Sequence, residues 1–224
     1  MSASLIDLAR ITKGVTSRPT ICFDEWNVWD PVRAPGELGG EELYTLSDAL
    51  AVATWLNVFV RQSKWMGMAN IAQTVNVISP LMTHPKGVTK QTTYWPLYLA
   101  SKYMRGRTLG VHDACEQYKG KTNPVWLAST MEIPCLDVAA AVDREGWVNL
   151  SVVNVKDDGD ITVELRGAEK AKGGVQVFTV TGDNINVVNK LGDDQKVVVK
   201  ESKWDGKGDY VFPKHSYTLL RWKE

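Results

Sequence analysis

The sequence predicts an α/β segment over residues 1–106, followed by an all-β domain over residues 107–224. In the first part, apolar residues at helical spacing alternate with short apolar runs of the kind found in buried strands. In the second part, strand-like runs recur at short intervals and are separated by clusters of Asp and Gly. This spacing is typical of an antiparallel β-sandwich or jelly roll.

The first element is an amphipathic helix. Leu5, Leu8 and Ile11 recur at helical spacing, which predicts a helix from about Ser4 to Lys13 with Gly14 as its C-cap. This start lacks the long apolar stretch of a secretory signal, which favours an intracellular over a secreted location. No apolar run in the sequence approaches the ~20 residues that span a bilayer, so no membrane partner is expected.

Two short apolar runs predict parallel strands. Thr20–Phe23 and Gly67–Gln73 have the composition of strands that are buried on both faces, and each ends in polar residues. Cys22 is therefore expected to be a buried, inert thiol. The stretch after the second run contains Pro80 and Pro85 and is expected to be a loop.

Two further helices are expected in this part of the chain. Thr45 and Asp48 match a capping box, which predicts a helix from Leu46 to Met66. A third helix is expected from about Thr92 to Arg105, with its regular part on the C-terminal side of Pro96.

Two parallel strands and three helices cannot close a barrel or form a doubly wound sheet, because strand edges and apolar faces would stay open. The sequence therefore predicts that the rest of this domain lies outside the chain. The β domain supplies its own strands. They are expected at residues 125–130, 136–142, 147–154, 161–165, 175–180, 196–200 and 217–222.

Charge and metal-ligand patterns exclude several classes of function. The 26 basic and 26 acidic residues balance, so no nucleic acid or anionic surface is expected as a partner. Three scattered cysteines and three isolated histidines predict no disulfide framework, no metal site and no cofactor, although a bridge between Cys115 and Cys135 stays open. Most of the nine tryptophans are expected in the core, but some tryptophans form flat platforms for sugars.

Two acids follow the first strand and are the strongest candidates for chemistry. Asp24 and Glu25 stand beside Trp26 and Trp29 at the carboxyl end of a predicted strand, where barrel enzymes hold catalytic groups. A carboxylate against an aromatic wall suits glycoside hydrolysis, in which a nearby negative charge stabilises an oxocarbenium-like transition state. A helix cap or a loop salt bridge is an equally weighted explanation of the same residues.

Three sequence motifs carry a family resemblance. The runs FDEWNVW (23–29), AQTVNVISP (72–80) and QTTYWPLY (91–98) closely resemble the C-terminal half of the family fifty-one glycoside hydrolases, the α-L-arabinofuranosidases. The resemblance continues more loosely to the terminal HSYTLLRW. It implies that residues 1–106 are the C-terminal fragment of a (β/α)8 TIM barrel, followed by a β-sandwich at residues 107–224.

The resemblance also implies roles for individual residues. Glu25 corresponds to the nucleophile, Gln73 to a residue of the arabinose-binding subsite, and Trp29 to a residue that lines the site. Trp26 and Asn27 are expected to support the loop. Asp24 is expected to hold the strand end through an ion pair or a hydrogen bond.

The acid/base glutamate of this family comes from an earlier strand, so it is expected outside this chain. Glu37, Glu41 and Glu42 are expected to form a solvated loop at the rim of the site. The implied partners are an arabinose-containing oligosaccharide or plant polysaccharide and the missing N-terminal part of the barrel, and homo-oligomerisation is left open.

Two alternatives remain. The chain could be a non-catalytic carbohydrate-binding or assembly module with a barrel remnant, or part of a related hydrolase with another specificity, such as a xylosidase or an endo-glucanase.

Overall fold

The structure is a computed structural model that describes residues 1–30, 32–35, 37, 39–119, 132–156 and 158–224. The strand predicted at residues 125–130 lies outside these ranges. No helix in the described part of the chain is both long and apolar enough to cross a membrane.

The described residues form three α-helices and fourteen strands. The helices are α1 (Ser2–Lys13), α2 (Leu46–Arg61) and α3 (Tyr94–Tyr103). The strands of the first part are β1 (Ile21–Trp26), β2 (Met66–Ile71), β3 (Leu81–His84) and β4 (Gly87–Lys90). The later strands are β5 (Arg107–Leu109), β6 (Gln117–Tyr118), β7 (Ile133–Pro134), β8 (Leu136–Val142), β9 (Trp147–Asn154), β10 (Ile161–Glu164), β11 (Val175–Val180), β12 (Val199–Trp204), β13 (Asp209–Phe212) and β14 (Ser216–Lys223).

A six-stranded antiparallel sheet is the centre of the fold. Its strand order is β12-β11-β14-β9-β8-β5, so β14 lies between β9 and β11. Neighbouring residues of its central strands point to opposite faces, and both faces are buried. Val152 and Leu220 belong to one apolar cluster, whereas Val153 and Leu219 belong to another. This two-sided burial explains why β9 and β14 read as nearly continuous apolar runs.

Strands β10 and β13 pair with each other and cover the first face of the central sheet. Ile161 of β10 and Phe212 of β13 pack with Leu220 and Trp222 of β14 in the same buried cluster. The packing of strands over strands confirms the β-sandwich predicted for the C-terminal part of the chain.

Helices α2 and α3 cover the second face. Leu46, Leu50 and Leu99 are buried in one cluster with Val153 and Tyr217 of the central sheet.

Polar contacts join the far end of α2 to the sheet. The Asn57 amide donates to the Asp137 carboxylate at 2.8 Å, and Arg61 forms an ion pair with the same carboxylate at 2.8 Å. Helix α2 is therefore held against the sheet by apolar packing in its N-terminal half and by an ion pair near its C-terminus.

Local signals at the helix ends are confirmed. Gly14 has a left-handed conformation (φ 63°) at the end of α1. The Thr45 side chain and the Asp48 backbone N–H form the predicted capping box, in which the Asp48 carboxylate also accepts from the Thr45 N–H. These caps satisfy backbone groups that have no partner within the helix.

Several predicted boundaries were wrong. The helix predicted to reach Met66 ends at Arg61, and Met66 already belongs to β2. The prediction ran too far because an apolar run at the end of a helix cannot be told from a short apolar strand. Pro96 lies in the first turn of α3, where a missing N–H costs no hydrogen bond, so the helix includes it. The predicted loop around Pro85 contains the hairpin β3–β4. The last-but-one predicted strand, at 196–200, is displaced to β12.

The burial predicted for β1 and β2 is also wrong, because neither strand is buried on both faces. Strands β1 and β2 form a two-stranded parallel sheet, and Cys22 is exposed on it. Aromatic side chains of α2 cover one side, where Phe23 lies 5.5 Å from Trp55 and 5.6 Å from Phe59 between ring centroids. The described residues place nothing comparable over Cys22, and all three cysteines are free, so the Cys115–Cys135 bridge does not form.

Helix α1 has no buried residue. The apolar side chains that predicted this helix, Leu5, Leu8 and Ile11, are all exposed to solvent. An ion pair between Arg18 and Asp7 at 2.7 Å, together with the stacking of Arg18 on Trp65, joins the helix to the start of β2.

Because both faces of the sheet are buried, truncating an apolar side chain on either face should lower the free energy of unfolding by a similar amount. We expect Leu219→Ala and Leu220→Ala each to lower the free energy of unfolding by about 2–5 kcal/mol, because each leaves a cavity in a buried cluster. Urea unfolding measures this, and Leu191→Ala at a 45% exposed position is the control, with a change below about 0.5 kcal/mol. If Leu219→Ala behaves like the control, the helices do not form one core with the sheet.

Candidate active site

Glu25 and Gln73 lie at the same edge of the parallel pair. Strand β1 ends with Trp26, which pairs with Ile71 at the end of β2, and the Ala72 N–H donates to the Trp26 carbonyl at 3.0 Å. Because the strands are parallel, the carboxyl ends of both meet here. The side chains of Glu25 and Gln73 are both exposed at this edge.

Asn27 holds the two strand ends together. Its amide nitrogen donates to the Ala72 carbonyl at 2.8 Å and also to the Ile78 carbonyl, and its oxygen accepts from the Val28 N–H at 2.8 Å. One side chain thus joins the segment after β1 to the segment that contains Gln73. The predicted support role of Asn27 is confirmed by these contacts.

Trp26 packs the end of β1 on α2. It is buried, with its ring centroid 5.0 Å from that of Phe59 and 6.4 Å from that of Trp55. A buried aromatic cluster of this kind fixes the strand end next to Glu25, as expected for a supporting residue.

Trp29 lies on the loop after β1 and differs from Trp26 in being 53% exposed. Its indole N–H donates to the Ala34 carbonyl at 2.9 Å, so the polar edge is satisfied within the loop. The ring therefore offers an apolar surface to a ligand without leaving a donor unpaired.

Asp24 and Glu25 make no side-chain hydrogen bond or ion pair with another residue of the described ranges, and both are exposed. The ion pair or hydrogen bond expected for Asp24 is therefore not found within those ranges. The backbone pairing of β1 with β2 and the contacts of Asn27 hold this strand end instead.

An ionic cluster, which we call the Arg33 cluster, lies next to the loop after β1 that carries Trp29 (the Trp29 loop) and consists of Asp30, Arg33, Glu42 and Asp48. Glu42 and Asp48 are buried, whereas Arg33 and Asp30 are partly exposed. Arg33 contacts Asp30 at 3.1 Å, Glu42 at 2.7 Å and Asp48 at 2.8 Å. The expectation that Glu42 is solvated is wrong, because its side chain is 0% exposed. Glu37 and Glu41 are exposed, as predicted.

The pKa shifts in the cluster follow from the burial of Glu42 and from the contacts of Arg33 with the neighbouring carboxylates. Loss of hydration raises the pKa of Glu42, and the Asp30 N–H and the Arg33 guanidinium partly oppose that shift. The hydrogen bonds from Arg33 to Asp48 raise the pKa of Arg33, which therefore stays charged. Burial raises the pKa of the neighbouring Tyr44 phenol, so it stays a hydrogen-bond donor.

Tyr44 and Gln91 complete the support of the loop. The Tyr44 hydroxyl donates to the Val28 carbonyl at 2.6 Å, and its backbone N–H donates to the Gln91 side-chain oxygen at 2.9 Å. The Gln91 amide donates to the Glu42 carbonyl at 2.9 Å and to the Ser79 carbonyl at 2.7 Å. Sequence reasoning assigned no role to these residues, although Gln91 opens the motif at 91–98.

Comparison with known proteins gives a consistent result. The family profile described as "Alpha-L-arabinofuranosidase C-terminal domain" matches residues 24–216. A probable α-L-arabinofuranosidase C of Aspergillus terreus is 62% identical over 226 residues, and α-L-arabinofuranosidase C of Emericella nidulans is 57% identical. Each alignment covers 100% of this chain and 44% of the relative, so the chain spans less than half the length of these curated relatives.

Solved structures show the same fold at lower identity. A family 51 α-L-arabinofuranosidase from Bifidobacterium longum superimposes with a TM-score of 0.83 at 21% identity, over 99% of this chain and 45% of that one. The α-L-arabinofuranosidase from Thermotoga maritima superimposes with a TM-score of 0.76 at 22% identity, over 98% of this chain and 46% of that one.

The contacts of Asn27 predict a stability effect at the strand ends. We expect Asn27→Asp to lower the free energy of unfolding by about 1–3 kcal/mol, because a carboxylate would face two carbonyl oxygens and lose both donors. Chemical denaturation measures this, and Asn70→Asp at an exposed position of β2 is the matched control. Equal effects of the two substitutions would show that Asn27 does not hold the strand ends together.

Proposed function

The chain belongs to the α-L-arabinofuranosidase family. We propose that it carries the nucleophile of a retaining glycoside hydrolase. The proposed reaction releases terminal, non-reducing α-L-arabinofuranosyl residues from arabinose-containing oligosaccharides or plant polysaccharides. The position of Glu25 carries the proposal: it is an exposed carboxylate at the carboxyl end of a parallel strand, and Gln73 follows the carboxyl end of the neighbouring strand.

Residues 1–106 are proposed to be the last part of a (β/α)8 barrel, and residues 107–224 the β-sandwich that follows it. The parallel pairing of β1 with β2 supports the barrel assignment, as does helix α2 between them. The open face around Cys22 and the exposed apolar side of α1 suit surfaces that further barrel elements would cover. Those elements are proposed to lie outside this chain and to supply the acid/base carboxyl group.

The proposed mechanism is a double displacement. The Glu25 carboxylate attacks the anomeric carbon and forms a glycosyl ester, while the partner acid protonates the oxygen of the leaving group. The same partner then removes a proton from water, which attacks the anomeric carbon and releases arabinose and the free carboxylate. Retention of configuration requires a separation of ~5–5.5 Å between the two carboxyl groups.

Two neighbouring side chains are proposed to bind the sugar. Gln73 offers both a donor and an acceptor for sugar hydroxyls at the edge that bears Glu25. Trp29 offers an exposed ring on which the C–H face of a furanose can pack, with its own N–H already bonded to Ala34. Neither role needs a metal or an organic cofactor.

In a form of the protein with a complete barrel, Glu25→Gln is expected to abolish turnover of an aryl α-L-arabinofuranoside. Glutamine keeps the volume of the side chain but cannot form the glycosyl ester, so the loss appears in kcat. The unfolding midpoint should not change, because Glu25 is exposed and its side chain makes no hydrogen bond or ion pair with the described residues. Glu37→Gln, at an exposed acid of the following loop, is the control and should keep normal turnover.

The identity of the nucleophile is checked separately by covalent trapping. A mechanism-based arabinofuranosyl inactivator, followed by peptide mass mapping, should label Glu25. A label on Asp24, or on an acid of the loop from Glu37 to Glu42, would refute the assignment even if Glu25→Gln is inactive.

The 224-residue chain alone is expected to show at most trace activity. The proton transfer that the absent partner would provide contributes roughly 10²–10⁴-fold, and most substrate contacts would be missing too. Assays with nitrophenyl arabinofuranoside, xyloside and cellobioside, on the chain alone and joined to the N-terminal portion of a relative, measure this. Full turnover by the chain alone would refute the proposal that part of the active site lies outside it. No turnover by the joined protein would favour a non-catalytic module. Turnover of only the xyloside or the cellobioside would indicate a different substrate specificity.

A further inference from the structure

Trp29 is exposed, yet the peptide groups on both sides of it are held by buried side chains. The Tyr44 hydroxyl donates to the carbonyl of Val28, and the Asp30 N–H donates to the Glu42 carboxylate at 3.1 Å. Tyr44 and Glu42 are both fully buried. A loop that only had to connect β1 with α2 would not need this buried support around an exposed tryptophan.

The indole itself is bonded to the same structure. Its N–H donates to the carbonyl of Ala34, which directly follows Arg33, and the Ala34 N–H donates back to the Asp30 carbonyl at 2.9 Å. Since Arg33 also pairs with the Asp30 carboxylate, Asp30, Arg33 and Ala34 are bonded to one another next to Trp29. The orientation of the ring therefore depends on where Arg33 is held.

Arg33 is held on helix α2. Its two terminal nitrogens bond the two oxygens of Asp48 at 2.8 and 2.9 Å, which is the planar geometry that an arginine favours with a carboxylate. The same Asp48 carboxylate accepts from the Thr45 N–H at 2.7 Å in the capping box. The Trp29 loop is thus connected through Arg33 to the first turn of α2, which packs on the central sheet.

Stability alone is a poor explanation for the buried Glu42 carboxylate. Taking the Glu42 carboxylate out of water costs about as much as its pairing with the partly exposed Arg33 returns, so an apolar side chain of similar volume would stabilise the loop as well. An ionic arrangement instead restricts the loop to one geometry, because the Asp30 N–H and the Arg33 guanidinium must both lie against the Glu42 carboxylate.

We propose that Arg33 and Glu42 are positioning residues that hold Trp29 in the orientation required to bind the arabinofuranosyl ring. The inference rests on the proposed function of this site and adds to it a pair of residues that do not touch the sugar. Glu42 fixes the backbone after Trp29, and Arg33 fixes the turn that bonds the indole N–H.

The test is a set of kinetic variants in a form of the protein with a complete barrel. We expect Glu42→Gln to raise KM for an aryl arabinofuranoside about tenfold, because the ion pair with Arg33 is lost, while kcat changes by less than about threefold. Glu41→Gln is the matched control, since it makes the same chemical change one residue away at an exposed position, and its KM should stay within about twofold.

A double-mutant cycle distinguishes positioning from general support. Once Trp29→Ala has removed the ring, Glu42→Gln should raise KM by less than about twofold more, because there is no longer a ring to position. If the effects of the two substitutions multiply, or if Glu42→Gln lowers the melting temperature without changing KM, the inference is overturned.

Two further measurements make the outcome unambiguous. If Glu42→Gln does not fold, Arg33→Lys replaces it, because lysine keeps the charge but loses the two-nitrogen contact with Asp48; an unchanged KM in that variant overturns the inference. If the unmodified protein does not hydrolyse arabinofuranosides at all, the proposed function fails first, which is a different result from an active protein that is indifferent to Glu42→Gln.

Discussion

The fold depends on the requirement that both faces of the six-stranded sheet be covered. Val152 and Leu220 face the layer of β10 and β13, while Val153 and Leu219 face α2 and α3. A sheet with two apolar faces cannot stand in water with only one of them covered. Helices α2 and α3 are therefore a structural layer of the second part of the chain, and not merely attached to it.

Because α2 contacts both the sheet and the candidate site, its packing on the sheet also fixes the position of that site. Helix α2 is packed along the sheet and bonded to Asp137 near its C-terminal end, while its first turn holds Arg33 through Asp48. Its aromatic side chains cover one side of β1, where they contact Phe23 and Trp26 on either side of Asp24 and Glu25 in the sequence. One helix thus determines where the strand with the proposed nucleophile ends and where the loop with Trp29 turns.

The features that could be predicted from the sequence are those set by nearby residues. The capping box of Thr45, the left-handed Gly14 and strands such as β9 follow from local patterns and were predicted correctly. The burial of Glu42 and the exposure of Cys22 could not be predicted, because they depend on contacts with distant residues or on which faces are covered. The roles of Glu25, Gln73 and Trp29 were inferred from motif resemblance. The structure adds that Glu25 and Gln73 lie at the carboxyl ends of two paired parallel strands.

The position of β14 has a consequence for the order in which the molecule can assemble on the ribosome. This strand lies between β9 and β11, yet it comes later in the chain than every other strand of the sheet. Until it is synthesised, β9 and β11 each present an unpaired edge, and the apolar sides of α2 and α3 have no finished surface to pack on. Synthesis runs from the N-terminus, so the segment that bears Glu25 leaves the ribosome long before the sheet beneath its helix can close. During that interval those edges and apolar surfaces are open to association with other chains.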